Sequence, residues 1–332
     1  MFESLNDFKG ERLYGAWSLD GSKVHAVGAL GAFLTRTSGS STWTEEGPTQ
    51  RNDLIAVDVG LDGTMMAVGA LQPDPDQGTE VLFSHADSFA PYTGGGFQGP
   101  QLPVGVAVIG ANDAWGLDNA AFVGVAHWTG HWGVSQTVGS GVFVPSRALA
   151  IWAAAKDDVW ATTESHVWHF AGASWNEVRS GETYASIHGN APNDVWFAGA
   201  GVAHWDGKSL AKVPALKGTF TGVWSAAPGR TWLWGDRAIL FDGATSVPVQ
   251  TALGSSAEWI VQGIAESTAG DVFVLTKRST GTSILWFDPS RTTLVDVITS
   301  DLDLTTIRGR GEQLWAVGAG GAALRFAPTP LH

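Results

Sequence analysis

The chain has 332 residues, of which 44% are hydrophobic and only 15% are charged, so it can bury a large core. Its formal net charge is −13, with 19 Lys and Arg against 32 Asp and Glu. Because nucleic-acid binding depends on a basic surface that displaces counterions, this balance argues against a nucleic-acid partner. The chain contains no cysteine, which excludes disulfides, thiol catalysis and thiolate metal sites.

The beginning of the chain is acidic rather than basic. Glu3 and Asp7 lie where a signal peptide carries Lys or Arg ahead of an apolar segment, so we expect a soluble protein with no signal peptide in the chain as given. The long uncharged stretch 119–146 is interrupted by Gly, Ser, Thr and His, so it does not predict a membrane span. Composition does not predict the compartment.

One pattern recurs eight times: an apolar strand, a turn of Gly, Asn or Asp, a second strand centred on a large residue, a glycine, and a third apolar strand. The large second-strand residues that mark the register are His25, Met66, Trp115, Trp160, Trp196, Trp232, Phe273 and Trp315. Successive marks lie 36 to 49 residues apart, close to the length of a four-stranded propeller blade. The sequence therefore predicts an all-β, eight-bladed β-propeller of four-stranded blades, which forms a single domain over residues 1–332.

The two ends of the chain together supply one blade. The eighth repeat ends after its third strand at 322–326, and residues 1–9 precede the first repeat without a blade of their own. We therefore predict that the N-terminal strand pairs with the last blade and closes the ring, which removes exposed sheet edges.

Tryptophan is unusually frequent, with 17 residues. Many lie at repeated positions, on second strands at the marks given above and on first strands at Trp17, Trp152 and Trp224. Repetition at one register predicts that the indoles wedge between neighbouring blades, where each buries a large apolar area. A tryptophan that stays exposed is the alternative, as a platform for a ligand.

The turn and second strand share a short motif in three repeats. It reads Asn112-Asp113-Ala114-Trp115, Asp157-Asp158-Val159-Trp160 and Asn193-Asp194-Val195-Trp196. It resembles the Asn-Asp-Val-Trp repeat of a tryptophan-rich bacterial β-propeller family, and Trp132 and Trp175 match that repeat's closing aromatic. The resemblance covers essentially the whole chain. It implies the fold, a bacterial source and a binding role rather than chemistry.

Polar residues also recur at fixed positions. Acidic residues recur in the turns after first strands, where Asp is a preferred turn residue, with a functional negative ring as the alternative. They are Asp20, Asp62, Asp113, Asp158, Asp194, Asp271 and Glu312. His127, His169 and His204 share one register on third strands. Equivalent positions of different blades are far apart, so we predict core histidines with hydrogen-bond partners and no metal site.

The first strands carry one set of candidate binding residues. Trp17, Asp58, Trp152, His188, Trp224 and Arg308 occupy nearly one register. We expect them near the axis of the propeller. A mixture of aromatic and polar side chains is typical of a polar-ligand pocket, although it also fills a wide channel that binds nothing.

The long connections 71–79 and 91–103 carry the second set, which consists of Asp74, Asp76, Tyr92 and Phe97. Both connections are expected on the face opposite the short turns, and insertions on one face of a repeat protein display a binding surface. Asp74 and Asp76 are suited to a cation, but no Asp-x-Asp-x-Asp-Gly loop follows, so a solvated loop is favoured.

Catalysis has no support in the motifs. We find no nucleophile with an adjacent base, no glycine-rich phosphate loop and no paired carboxylates, so no catalytic residue, no cofactor and no enzyme activity are predicted. The sequence predicts a non-catalytic binding module, namely a protein-interaction scaffold that uses the long-loop face. A lectin-like propeller that binds a glycan through exposed tryptophans is the alternative.

Overall fold

The structure is a computed structural model that describes residues 2–4, 12–17, 23–29, 32–37, 40, 42–45, 53–60, 64–70, 79–85, 88–91, 103–118, 124–130, 136–137, 147–249, 259–267, 270–279, 281–288, 293–300, 302–310, 313–319 and 322–326. Every regular element in these ranges is a β-strand. Within the same ranges, no helix is long and apolar enough to cross a membrane.

The strands, in chain order, are β1 (Phe2–Ser4), β2 (Leu13–Trp17), β3 (Lys23–Gly28), β4 (Phe33–Thr37), β5 (Thr44–Glu45), β6 (Asp53–Val59), β7 (Met65–Ala70), β8 (Thr79–His85), β9 (Ser88–Pro91), β10 (Pro103–Gly110), β11 (Asp113–Asp118), β12 (Gly124–Trp128), β13 (Gln136–Thr137), β14 (Ala148–Ala155), β15 (Asp158–Thr163), β16 (His166–Ala171), β17 (Trp175–Ser180), β18 (Tyr184–Ala191), β19 (Asp194–Gly199), β20 (Gly201–Trp205), β21 (Leu210–Lys212), β22 (Phe220–Ala227), β23 (Arg230–Gly235), β24 (Ile239–Phe241), β25 (Ser246–Pro248), β26 (Ile260–Glu266), β27 (Val272–Arg278), β28 (Gly281–Asp288), β29 (Thr293–Ser300), β30 (Leu304–Arg310), β31 (Gln313–Gly318) and β32 (Ala323–Phe326).

Hydrogen bonds join these strands into eight four-stranded sheets, each made of strands that are consecutive in the chain except for the one that contains β1. The chain divides into two compact units, residues 1–51 with 229–332 and residues 52–228. The first unit holds three complete sheets, β2–β5, β26–β29 and β30–β32 with β1. The second unit holds four, β6–β9, β10–β13, β14–β17 and β18–β21.

This division corrects the prediction of an eight-bladed propeller that is closed by pairing of the N-terminal strand with the last blade. Each of seven sheets lies entirely within one or the other of the two units. The β22–β25 sheet is divided at Pro228, with β22 in the second unit and β23–β25 in the first. β22 packs against β18 and β19, whereas β23 packs against β26. The large second-strand residues give the number of repeats in the sequence. They do not indicate which repeats pack together as one unit. The assignment of residues 1–332 to a single domain stays a prediction.

The N-terminal strand lies in the first unit. There β1 pairs antiparallel with β32, with Phe2 opposite Phe326 and Ser4 opposite Leu324, and so becomes the fourth strand of that sheet. The pairing involves strands of this unit alone. It therefore does not establish closure of a ring, and that part of the fold prediction is corrected together with the blade count.

The second strands form the core of the sheets. Trp160 and Trp232 are fully buried, and Trp115, Trp196 and Trp315 are at most 5% exposed. In the second unit the ring of Trp160 lies 5.1 Å from the ring of Trp205, which belongs to the following sheet.

The same contact recurs between other neighbouring sheets. Trp115 lies 4.8 Å from Phe170 of the following sheet, and in the first unit Trp232 lies 5.9 Å from Phe287. Phe170, Trp205 and Phe287 all lie at or near the end of a third strand. These contacts confirm the prediction that second-strand indoles wedge between blades.

The glycine that ends several second strands is required by close backbone approach. A Cβ on Gly199 would lie 2.0 Å from the carbonyl oxygen of Thr183, and one on Gly318 would lie 2.0 Å from that of Asp303. The next residue, Ala200 or Ala319, donates its backbone N–H to the same carbonyl. The repeated glycine therefore lets the chain that enters the first strand cross the end of the second.

We predict that Trp160→Ala lowers the free energy of unfolding by about 3–5 kcal/mol, because it leaves a cavity between two sheets. The measurement is urea denaturation followed by circular dichroism. Ile260→Ala is the control, since Ile260 is 65% exposed, and it is expected to change stability by less than about 0.5 kcal/mol. Similar effects of the two substitutions would show that Trp160 does not hold the sheets together.

Candidate functional site

The first strand β14 of the second unit is partly exposed along most of its length. In β14, the seven residues from Leu149 to Ala155 are all partly exposed, whereas five of the six residues of β15 are buried. Side chains on β14 are therefore accessible in a way that those on β15 are not, and His188 on β18 and Trp224 on β22 are partly exposed as well. This surface is the candidate functional site.

Three aromatic side chains lie on consecutive first strands of this surface. Trp152 on β14 is opposite Trp160, His188 on β18 is opposite Trp196, and Trp224 lies on β22. All three are partly exposed. The predicted candidates Trp152 and His188 come together, with ring centroids 6.5 Å apart and planes tilted by 46°.

Trp152 reaches from its own sheet to the next one. A Cβ added to Gly189 would lie 2.7 Å from Cη2 of Trp152, so the indole rests directly on the backbone of β18. The absence of a side chain at Gly189 is what allows this position. The orientation of the indole is therefore fixed by packing.

Hydrogen bonds to the neighbouring backbone hold the first strands in place. Nδ1 of His188 accepts the backbone N–H of Ser225 at 3.2 Å, and Oγ of Ser186 accepts that of Val223 at 3.3 Å. Oδ2 of Asp58 accepts the N–H of Val108 in the same way at 2.8 Å. Because Nδ1 of His188 is an acceptor, the ring carries its proton on Nε2 and is neutral while this bond stands.

A polar network lies at the turn that follows His188. The Asn190 amide donates to Oδ2 of Asp194 at 2.5 Å and to Oγ of Ser225 at 2.9 Å. Oδ1 of Asp194 accepts from Nε1 of Trp196 at 2.7 Å and from Nε2 of His204 at 2.6 Å. One carboxylate thus connects the first, second and third strands of its sheet.

The link between aspartate and histidine recurs in two other sheets. Nε2 of His127 lies 2.7 Å from Oδ1 of Asp113, and Nε2 of His169 lies 2.7 Å from Oδ1 of Asp158. The rings of His127, His169 and His204 stack on second-strand tryptophans with centroids 3.8 to 4.2 Å apart. The prediction that these histidines have hydrogen-bond partners is confirmed.

These contacts also explain the recurring acidic turn. Asp113, Asp158 and Asp194 accept from histidines, and Asp271 accepts from Nε1 of Trp286 at 3.1 Å. These four carboxylates are engaged inside their own sheets, which argues against a functional negative ring at these positions. The other members of the series, Asp20, Asp62 and Glu312, lie outside the described residues. In the described part of the chain, no group of three or more His, Asp or Glu side chains is placed to hold a metal ion.

The remaining sequence candidates divide into two groups. Trp17 on β2 and Arg308 on β30 belong to the first unit, and only their strands are described. Their assignment to a binding site therefore stays a prediction. The long-loop candidates Asp74, Asp76, Tyr92 and Phe97 lie outside the described residues, so their assignment stays a prediction.

An ionic cluster that sequence reasoning missed connects the sheets β14–β17 and β18–β21. Glu182 accepts hydrogen bonds from Nη1 of Arg179 at 3.0 Å and from the hydroxyl of Tyr184, and its Oε1 lies 2.6 Å from Nζ of Lys212. Desolvation raises the pKa of Glu182, but hydrogen bonds from Lys212, Tyr184 and Arg179 outweigh it and lower the pKa from 4.5 to about 2. Desolvation and the bond to Glu182 raise the pKa of Tyr184 to about 12.

The sheets define the class of the protein as a β-propeller with four-stranded blades. No family model matches the chain, and no curated protein is similar to it in sequence.

Among solved structures, the chain is similar to YCF48 bound to a D1 peptide, with a TM-score of 0.62 and 12% identity over 100% of this chain and 96% of that one. It is similar to the WD40 β-propeller domain of Doa1, with a TM-score of 0.60 and 10% identity over 99% of this chain and 98% of that one. It is also similar to virginiamycin B lyase from Staphylococcus aureus with quinupristin, with a TM-score of 0.58 and 12% identity over 82% of this chain and 94% of that one. At these identities the likeness shows the fold alone.

We predict that the carboxylate of Glu182 stabilises the protein above pH 4.5 and that this contribution is lost as the pH falls towards 2, because the pKa is lower in the folded than in the unfolded chain. Glu182→Gln is expected to lower the free energy of unfolding by about 2 kcal/mol at pH 7, with the difference from wild type shrinking in acid. Urea denaturation at stepped pH measures this.

Glu177→Gln is the control, because Glu177 is an exposed carboxylate of the same unit. It is expected to have little effect on stability at any pH. A Glu182→Gln difference that stays constant from pH 7 to pH 3 would contradict the assignment.

Proposed function

We propose that this chain is a non-catalytic binding module that holds a protein partner as an extended segment. The observation that carries the proposal is the first-strand surface of the second unit, where Trp152, His188 and Trp224 are partly exposed on consecutive strands. Aromatic side chains held in place by their surroundings are typical anchors of protein interfaces.

The anchors are held before any partner arrives. Trp152 is fixed against Gly189, and His188 is fixed by the N–H of Ser225. Association then orders few protein side chains, which reduces the entropic cost of binding. Among the solved structures of the same fold described above, YCF48 is bound to a D1 peptide.

The buried tryptophans weaken the lectin alternative. Trp115, Trp160, Trp196, Trp232 and Trp315 are at most 5% exposed, so their faces are not available to stack on a sugar ring. The histidines and aspartates that an enzyme would use as acid or base are paired within single sheets, as at Asp158 and His169. The long-loop face, with 71–79 and 91–103, belongs to the same proposal as a second contact region.

The test is selection of a phage-displayed random peptide library on immobilised protein, followed by measurement of the affinity of the enriched peptides. We expect Trp152→Leu to weaken binding at least about tenfold, which corresponds to about 1.4 kcal/mol. Trp175→Leu is the matched control, because Trp175 is a partly exposed tryptophan on a fourth strand of the same unit. Unfolding curves are measured for both variants to check that each one is folded.

The proposal is contradicted if no peptide motif is enriched. It is equally contradicted if the enriched peptides bind Trp152→Leu and Trp175→Leu with the affinity of wild type.

A further inference from the structure

We infer that the first-strand surface of the second unit binds a cationic side chain, an arginine or lysine presented by a basic segment of the protein partner. The inference rests on the proposed function and adds the chemistry of the partner. It depends on the charge, the aromatic residues and the residue sizes along five strands.

The charged residues on the strands of this surface are acidic. Among the five first strands β6, β10, β14, β18 and β22, the described side chains include one carboxylate, Asp58, and none of these strands contains lysine or arginine. The first unit differs, because its strand β30 contains Arg308 and Arg310. The chain as a whole has a net charge of −13, so its field attracts cations.

The aromatic residues suit the same ligand. An ammonium or guanidinium group within about 6 Å of an indole centroid is attracted to the ring face, and tryptophan is the strongest such partner. Trp152 and Trp224 lie on either side of His188, which is neutral while Nδ1 accepts the N–H of Ser225. His188 in this state therefore adds no positive charge that would oppose a cation.

The first unit shows that this protein already uses such contacts internally. The guanidinium of Arg278 lies 3.1 Å from the ring centroid of Trp259, and that of Arg230 lies 5.8 Å from that of Trp232. Trp152 and Trp224 offer the same ring chemistry on a partly exposed surface. A partner's arginine would there make the contact that Arg278 makes inside the chain.

The register supplies a carboxylate beside the aromatic residues. One register position on the first strands β6, β10 and β14 is the one opposite the large residue of the second strand. It is occupied by Asp58 (opposite Met66), Ala107 (opposite Trp115) and Trp152 (opposite Trp160). Ala107, on the strand between them, is a small buried residue, so no bulky side chain occupies this register position between Asp58 and Trp152. Asp58 is oriented by the N–H of Val108, so the charge is fixed in place.

The test compares fluorescein-labelled pentapeptide libraries that differ only in the central residue, which is arginine, citrulline or glutamate. Citrulline has nearly the shape of arginine without its charge. We expect the arginine library to bind at least tenfold more tightly than the other two, by fluorescence polarisation at low salt, and this advantage to shrink in 0.5 M salt.

Asp58→Asn and Trp152→Leu are each expected to weaken binding of the arginine library at least threefold. The matched control for charge is Asp157→Asn, because Asp157 is an exposed turn residue of the same unit and its removal changes the net charge equally. It is expected to leave the affinity within about twofold of wild type.

Two negative outcomes are distinguishable. Equal binding of the arginine and citrulline libraries, still lost in Trp152→Leu, overturns the cationic inference and leaves the proposed function standing. Failure of every library to bind overturns both. Equal losses in Asp58→Asn and Asp157→Asn would show that only net charge matters and would also overturn the inference.

Discussion

The packing of second-strand tryptophans against the following sheet is the interaction on which the rest of the structure depends. Trp160 is enclosed on one face by the stacked ring of His169, at 3.8 Å, and is met by Trp205 of the next sheet at 5.1 Å. Its indole N–H donates to Asp158 at 3.1 Å, so the buried polar atom is satisfied. The buried apolar area of the ring, its stacking on His169 and its hydrogen bond to Asp158 thus all stabilise the same point in the interface between the sheets.

Where the aspartate of this arrangement is replaced, the neighbouring sheet compensates. Arg230 occupies the turn position that Asp194 occupies one repeat earlier, and an arginine cannot accept the N–H of Trp232. Glu266 of the following sheet accepts it at 2.8 Å and also pairs with Arg230 at 2.6 Å. At Trp232 the acceptor beside the indole therefore comes from the following sheet.

The repeat pattern made the strands and the buried tryptophans predictable, because both follow from local periodicity and register. The Asp–His–Trp contacts were not predicted, since His127 and Asp113 are 14 residues apart and only the pairing of strands brings them together. The Glu182 cluster was missed for the same reason, because Lys212 reaches it from the fourth strand of the next sheet. The sequence prediction of a closed ring of eight blades was wrong, since packing between repeats leaves no periodic mark. Of the candidate site, Trp152 and His188 were predictable as a pair from their shared register, whereas the supporting roles of Gly189 and Ser225 depend on contacts between strands.

The most direct test of the account is a double-mutant cycle on Trp160 and Trp205, with each residue replaced by leucine singly and together and with stability measured by urea denaturation. The account predicts a coupling free energy of about 1 kcal/mol, within the range of aromatic pairs that touch across a packed interface. Effects that add to within about 0.3 kcal/mol would show that the two indoles do not stabilise each other, and the central claim would then be contradicted.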